Sequence, residues 1–175
     1  MMSTALHTFI DIFSSDFPVD GENVQLNKIV IPIIQRDYAQ GRRDSNVERI
    51  RLRFLDSLKN AITNKPITLD FVYGDIDENG VMTPLDGQQR LTTLFLLHWY
   101  AAKRESINKD EYGFLSNFSY ETRYSARDFC DLLVNKYTPS FTQAISEEII
   151  DQAWFPLDWT KDPTISSMLV MLDGI

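Results

Sequence analysis

The residues of this chain best equipped for chemistry are Asp86-Gly87-Gln88-Gln89-Arg90, followed directly by Leu91-Thr92-Thr93-Leu94. An extended segment, Val81 to Leu85, leads in. Gly87 supplies a sharp turn and close backbone approach, and an apolar helical run begins at about Gln88. The first turn of a helix carries backbone N–H groups without intrahelical partners at the positive end of its dipole, so such a start is a ready anion site. Arg90 adds a fixed charge whose fork geometry suits phosphate. Gln88 and Gln89 add amides that donate or accept. Asp86 either caps the helix or holds a metal ion that bridges phosphates. An Asp-Gly helix start by itself often means only a cap and an exposed ion pair. Two glutamines and an arginine in one turn, ahead of a strongly apolar helix, weigh against that plain reading.

A second polar cluster lies upstream in Ile31-Pro32-Ile33-Ile34-Gln35-Arg36-Asp37-Tyr38, where a strand runs out into Gln35-Arg36-Asp37. It reads either as a solvated strand exit or as a second set of donors facing the first across a cleft. The remaining chemistry-bearing residues offer less. No Gly-x-x-x-x-Gly-Lys loop is present. His7 and His98 are the only histidines and have no metal-ligand spacing; His98, on an apolar helix, reads as a core residue. Cys130 lies with Phe129, Leu132 and Leu133 and reads as a core thiol, not a nucleophile. Asp75 and Asp77 flank a turn, where aspartate is common.

The elements that must position these residues follow from hydrophobic period and turn chemistry. Leu6, Phe9, Ile10 and Phe13 predict a short helix starting after Ser3 or Thr4, and a turn-rich stretch from Ser14 to Asn27 follows. Lys28-Ile29-Val30-Ile31 predicts a strand that stops near Pro32. Ser45 and Glu48 have capping-box spacing. They open a helix to about residue 63 with the stripe Val47, Ile50, Phe54, Leu58 and Ile62; Arg49, Arg51, Arg53 and Lys59 fall largely off it. Leu69–Ile76 and Val81–Leu85 predict two strands joined by Asp77-Glu78-Asn79-Gly80, and Pro84 predicts that the second lies at an edge or ends there. A long helix runs from about Gln88 to Arg104. Further helices are predicted from Ser125 to Lys136, at Ser146-Glu147-Glu148, and from Asp162-Pro163-Thr164 onward. The class is α+β: a mixed unit over 1–105 and a helical extension over 106–175. The last apolar pattern, Ile165, Met168, Leu169 and Leu172, runs to Ile175 without a C-terminal cap, from which a fragment of a longer protein is expected.

Composition sets the frame. Of 175 residues 43% are hydrophobic, enough for a real core. One cysteine excludes an intramolecular disulfide framework and, with no secretory leader at Met1 to Leu6, predicts a cytoplasmic setting. The most apolar stretch, Leu94 to Ala102, is far shorter than the roughly 20 residues of a membrane span, so no membrane is expected. Net charge is −8, which argues against nucleic-acid binding over the whole surface. Residues 28–65, however, carry nine Lys/Arg against four Asp/Glu. This basic segment on an acidic body is either a solvated helix face or a guide for a polyanion.

The two motifs together resemble the N-terminal domain of GmrSD-type modification-dependent restriction enzymes, whose signatures are Ile-Pro-x-x-Gln-Arg-x-Tyr and Asp-Gly-Gln-Gln-Arg-Leu-Thr-Thr-Leu. Ile31 to Tyr38 and Asp86 to Leu94 match both, in order and separation. The resemblance is sharpest over residues 28–104. It implies a ParB/sulfiredoxin-like nucleotide-binding fold and a nucleoside triphosphate site with Mg²⁺ shared by the two motifs. Gln35, Arg36, Asp86, Gly87, Gln88, Gln89 and Arg90 carry over, with Thr92 among the nucleotide contacts. The implied roles are phosphate binding by backbone N–H groups of 87–90, and charge neutralisation by Arg36 and Arg90. Asp86 orients the attacking water, directly or through Mg²⁺, while Gln35, Gln88 or Gln89 positions that water or a phosphate oxygen. DNA is reached through the full-length protein, whose HNH-type nuclease domain is not matched here; a homo-oligomer is compatible. The alternative is a ParB-like DNA-binding or ligand-sensing module without catalysis. One departure stands out: relatives usually have Trp two residues after the Tyr, where this chain has Gln40, followed by Arg42 and Arg43.

Overall fold

The computed structural model describes residues 6–32, 37–121 and 123–175. Twelve helices and strands follow one another among these residues. They are β1 (Asp16–Val19), β2 (Glu22–Gln25), β3 (Lys28–Ile31), α1 (Ser45–Thr63), β4 (Tyr73–Ile76), β5 (Val81–Asp86), α2 (Gln88–Arg104), α3 (Lys109–Tyr112), β6 (Phe118–Tyr120), α4 (Tyr124–Asn135), α5 (Ile145–Ile150) and α6 (Pro163–Gly174). The α+β class holds: small sheets lie in the first two thirds, and the later part is mostly helical.

The main sheet is mixed, in the order β4-β5-β3-β6. β4 and β5 form the hairpin expected from Asp77 to Gly80, with Ile76 opposite Met82 and Gly74 opposite Pro84. Its turn is closed by Asp77, whose Oδ1 accepts from the Asn79 and Val81 N–H groups at 3.0 and 2.8 Å. β5 is not an edge strand, contrary to the expectation from Pro84, because it also pairs in parallel with β3. That ladder ends at Ile29 opposite Met82, so Pro84 lies beyond it and its missing N–H breaks no β3–β5 bond. β6 continues the sheet in parallel, Ile29 opposite Phe118 through Ile31 opposite Tyr120. The strand expected over Leu69–Ile76 is shorter: residues 69–72 lead into β4 without strand pairing.

Three further differences have simple causes. Residues 16–25 fold as an antiparallel hairpin rather than loose turns, because Asp20 and Gly21 take φ of 48° and 93°, the left-handed pair a two-residue connection requires. The helix expected near the N-terminus is only a 3₁₀ turn at Asp11–Ser14: Phe9 is buried, but Leu6 and Ile10 face solvent. Its expected start at Ser3 or Thr4 lies outside the described residues. In α1 the cap is Asp44 rather than Ser45, its Oδ1 accepting from Asn46 and Val47 N–H at 2.9 and 3.3 Å. The stripe is rotated too. Arg51 and Leu58 are the buried pair, while Ile50 and Ile62 are exposed.

One hydrophobic cluster runs from Phe9 to Leu172, with α2 through its middle. Phe95 stacks on Phe118 of β6 at 4.8 Å between ring centroids. Trp99 stacks on Tyr137 and donates through Nε1 to the Leu133 carbonyl at 2.9 Å. α6 closes another side with Ile165, Met168, Leu169, Met171 and Leu172. Its start is as expected, with Asp162 capping Thr164 and Ile165 and Pro163 in the first turn. Cys130 is buried in this core, and burial pushes its thiol up, away from reactive thiolate. No helix among the described residues is long and apolar enough to cross a membrane.

One buried carboxylate ties α5 to the segment that follows α4. Glu148 Oε1 accepts from Ser140 Oγ and Thr142 N–H at 2.7 and 2.9 Å; Oε2 accepts from Ser140 N–H and the Tyr137 hydroxyl at 2.7 and 3.0 Å. Burial alone would raise this carboxyl above its ordinary 4.5, but the four donors prevail and lower it to about 2. A depressed folded value contributes stability above the unfolded value, and that stability is lost as pH falls from about 4.5 toward 2. Glu148→Gln is therefore expected to lower unfolding free energy at pH 7 by about 1–3 kcal/mol. The gap to the parent should shrink toward pH 2.5. Urea denaturation of both proteins across that range measures it.

Candidate functional site

The second motif begins at the end of β3, with Ile31 and Pro32, and is described again from Asp37. From there to Arg42 the chain is tied to four helices. Gln89 of α2 makes the central tie: its Oε1 accepts from Ala39 N–H at 2.8 Å and its Nε2 donates to the Asp37 carbonyl at 3.0 Å. A turn later, Thr93 Oγ1 lies against the Tyr38 hydroxyl at 2.8 Å, the Gln89 carbonyl at 3.0 Å and Gln40 Oε1. The threonine has one proton for the two carbonyl-type acceptors, so Tyr38 donates to it. Burial pushes the Tyr38 phenol up, so it stays protonated in that role. From α1, Arg51 Nη1 donates to the Gln40 and Arg42 carbonyls at 3.1 and 3.3 Å, which is why this arginine occupies the helix's inner face. Arg123, just before α4, pairs closely with Asp37, whose other oxygen lies 3.8 Å from Arg42 Nη2. Gly41 abuts α6: a Cβ there would stand 1.7 Å from the Ser167 carbonyl oxygen.

The first motif sits as its spacing predicts, with one change of role. β5 ends at Asp86, and Gly87 turns the chain at φ 92°, in the left-handed region that favours glycine. A Cβ there would also stand 2.6 Å from Val72 Cγ2. Gly87, not Asp86, is the N-cap of α2, and no side chain caps that first turn. Asp86 instead projects outward, its Oδ2 3.5 Å from Arg90 Nη2. Arg90 is held on three sides: it donates to the Phe71 carbonyl, and its Nη1 lies 3.9 Å from Asp70 Oδ2. It thereby clips the 64–72 segment to the helix start. Gln88 turns inward and donates to the Pro84 carbonyl at 2.9 Å. Thr92 is buried and bonds the Tyr120 hydroxyl of β6 at 2.9 Å.

The structure thus brings Asp86, Gly87, Gln88, Gln89, Arg90 and Thr92 to one helix start, with Asp37 to Gln40 bound to the same helix. Gln35 and Arg36 lie outside the described residues. Arg51, Thr93 and Arg123 are the positioning residues that spacing alone does not single out. Gln40 spends its amide oxygen on Thr93. His98 is half-buried beside Phe9, and its Nδ1 meets the Leu94 carbonyl at 2.7 Å. Burial lowers it, with that hydrogen bond partly opposing, and it lies a helical turn and more beyond the motif.

For a metal, the described residues contain no group of three or more His, Cys, Asp or Glu side chains arranged to hold one. Asp86 and Asp70, both beside Arg90, are the nearby carboxylates. That donor set fits a hydrated Mg²⁺ that arrives with phosphate oxygens, which needs only one or two protein carboxylates, and not a caged ion.

The model of the family described as GmrSD restriction endonuclease, N-terminal domain, matches residues 19–174. No curated protein and no solved structure matches the chain.

The joint between the motifs makes a quantitative expectation. Gln89→Ala leaves the Ala39 N–H and Asp37 carbonyl without their partner, and Thr93→Val strands the buried Tyr38 hydroxyl. Each should destabilise the protein by about 1–3 kcal/mol in urea titrations. Thr93→Ser, which keeps the hydroxyl, should cost less than Thr93→Val.

Proposed function

Because the chain belongs to the GmrSD restriction endonuclease N-terminal domain family, we propose that it is the nucleotide-handling regulatory part of a modification-dependent DNA restriction protein in anti-phage defence. The observation that carries this reading is the α2 start, opened by Gly87 in the left-handed region, uncapped by any side chain, and joined through Gln89 to the second motif. Unsatisfied N–H groups at the positive end of a 17-residue helix bind phosphate oxygens. Asp86, exposed and at the mouth of the site, is the carboxylate available to orient a water. Arg90 supplies positive charge within reach of the same turn, shared with Asp86 and Asp70. A nucleoside triphosphate would bring Mg²⁺, which neutralises charge on its phosphate oxygens. Arg36 and Gln35 belong to this reading through the family motif. So do a ParB-like fold for residues 1–105, a helical extension over 106–175, and a cytoplasmic setting in which DNA is met through the full-length protein.

One observation favours a second reading, in which the site senses the nucleotide and does not hydrolyse it. Gln89, Thr92 and Thr93 spend their polar groups on the protein itself, and Gln88 spends its amide nitrogen there. Groups so committed hold a shape and are poorly free to follow a reaction.

Thermal unfolding with each of the four nucleoside triphosphates, with and without Mg²⁺, tests binding: at a ligand concentration 100 times its Kd, stabilisation is about 2.7 kcal/mol. Phosphate release then separates the two readings. On the hydrolytic reading, Arg90→Ala should lower turnover roughly 30- to 1000-fold, and Asp86→Ala should act in the same direction. If both variants bind and hydrolyse nucleotide as the parent does, the proposal is wrong. Stabilisation by a triphosphate without phosphate release selects the sensing reading.

A further inference from the structure

Two of the largest exposed side chains of the molecule stand beside the α2 start. Phe71 is 73% exposed and Tyr73 56% exposed. The chain alternates from exposed Phe71 through half-buried Val72, exposed Tyr73 and half-buried Gly74 to exposed Asp75. The two rings therefore share the outward side of one extended segment, while Val72 turns inward against Gly87. Tyr73 pairs with Asp86, and directly paired residues of an antiparallel ladder project from the same face. The ladder is irregular between Tyr73 and Gly74, a feature that re-aims side chains near sites. Phe71 is fixed from its own backbone, because its carbonyl accepts from Arg90.

Burial does not require these rings. Solvated aromatic faces are costly to display, and here both are carried on a segment pinned by Arg90 and Val72, one strand pairing away from Asp86. A flat aromatic ligand would recover that exposed area, since base–aromatic stacking is sequence-tolerant and strong. We propose that Phe71 and Tyr73 form the platform for the nucleobase of the nucleotide whose phosphates sit at the α2 start. This rests on the nucleotide-handling reading above and adds to it the subsite for the base. The platform has stacking faces and presents Asp70 and Asp86 at its margin, so it holds a base by its plane, and carboxylates are the edge groups near it.

Both residues are exposed, so their replacement leaves the core intact. The probes are the tightest-binding nucleoside triphosphate and inorganic tripolyphosphate, each titrated by calorimetry against the parent, Phe71→Ala, Tyr73→Ala, the double variant and Phe71→Tyr. The expected result is a loss of triphosphate affinity of about 10- to 100-fold in the double variant. Tripolyphosphate affinity should not change, and Phe71→Tyr should keep most of the parent's affinity. Unchanged nucleotide affinity in the double variant overturns the platform and leaves the nucleotide-handling reading standing. Equal losses for nucleotide and tripolyphosphate also overturn it, because they mean that the segment supports the phosphate end. If the parent binds neither probe, the nucleotide-handling reading fails and the platform with it. A short single-stranded oligonucleotide is titrated alongside; if the double variant loses affinity only for it, the rings serve a nucleic-acid strand and the proposal is wrong.

Discussion

Gln89 has one carbonyl oxygen and one amino group, and both are spent on the backbone of residues 37–39. The arrangement of the site depends on that. A primary amide bonded to both an N–H and a C=O of an extended segment reproduces one rung of a sheet, so α2 grips the second motif as a neighbouring strand would. Everything else around the joint reinforces this grip from a different direction: Thr93 below it, Arg51 from α1, and Arg123 from the start of α4. The motif that looks like a row of ligand contacts is in large part a clamp. No side chain caps the helix's first turn, and backbone groups are the ones that need such a clamp, since they cannot be aimed by rotamer choice.

Charge around the site is distributed in the same spirit. Arg90 and Arg51 are both arginines on helices near the motifs, yet one faces two carboxylates besides the Phe71 carbonyl and the other faces carbonyls alone. Arg51 is nearly sealed from solvent, where a guanidinium bonded to two carbonyl oxygens is a structural element and contributes nothing to a polyanion-attracting surface. The basic character of residues 28–65 on the outside therefore comes from Lys28, Arg42, Arg43, Arg49, Arg53, Lys59 and Lys65, all exposed.

Much of this was legible in the sequence, and the exceptions share a cause. Helix α2 was readable from Gln88 to Arg104 because its apolar run is long and its start is marked by glycine; α6 was readable because Asp162-Pro163 is a strong opening. The turn at Asp77 to Gly80 announced its hairpin. By contrast, β6 is three residues long and exists only because β3 offers it an edge, and Phe118-Ser119-Tyr120 carries too little pattern to declare that. The first hairpin did carry a signal, Asp20-Gly21, which its polar surroundings masked. In α1 the spacing pointed to Ile50 and Ile62 as core, but the helix rotates to deliver Arg51 to the carbonyls of residues 40 and 42, a demand set by the tertiary structure. The same holds for the site. The residues of both motifs stood out by type, whereas Arg123 lies 86 positions from its partner Asp37, and no local pattern links them.

Gly41 has a mechanical consequence. Its contact with α6 is backbone against backbone, with no side chain between the two to bend or change rotamer. Well-packed interiors are stiff and transmit displacement rather than absorb it. A shift of α6 along its axis is therefore passed undamped to the loop that Gln89 and Thr93 hold, and from there to the first turn of α2. The joint is a coupling as well as a clamp, with a rigid rod at one end and the first turn of α2 at the other.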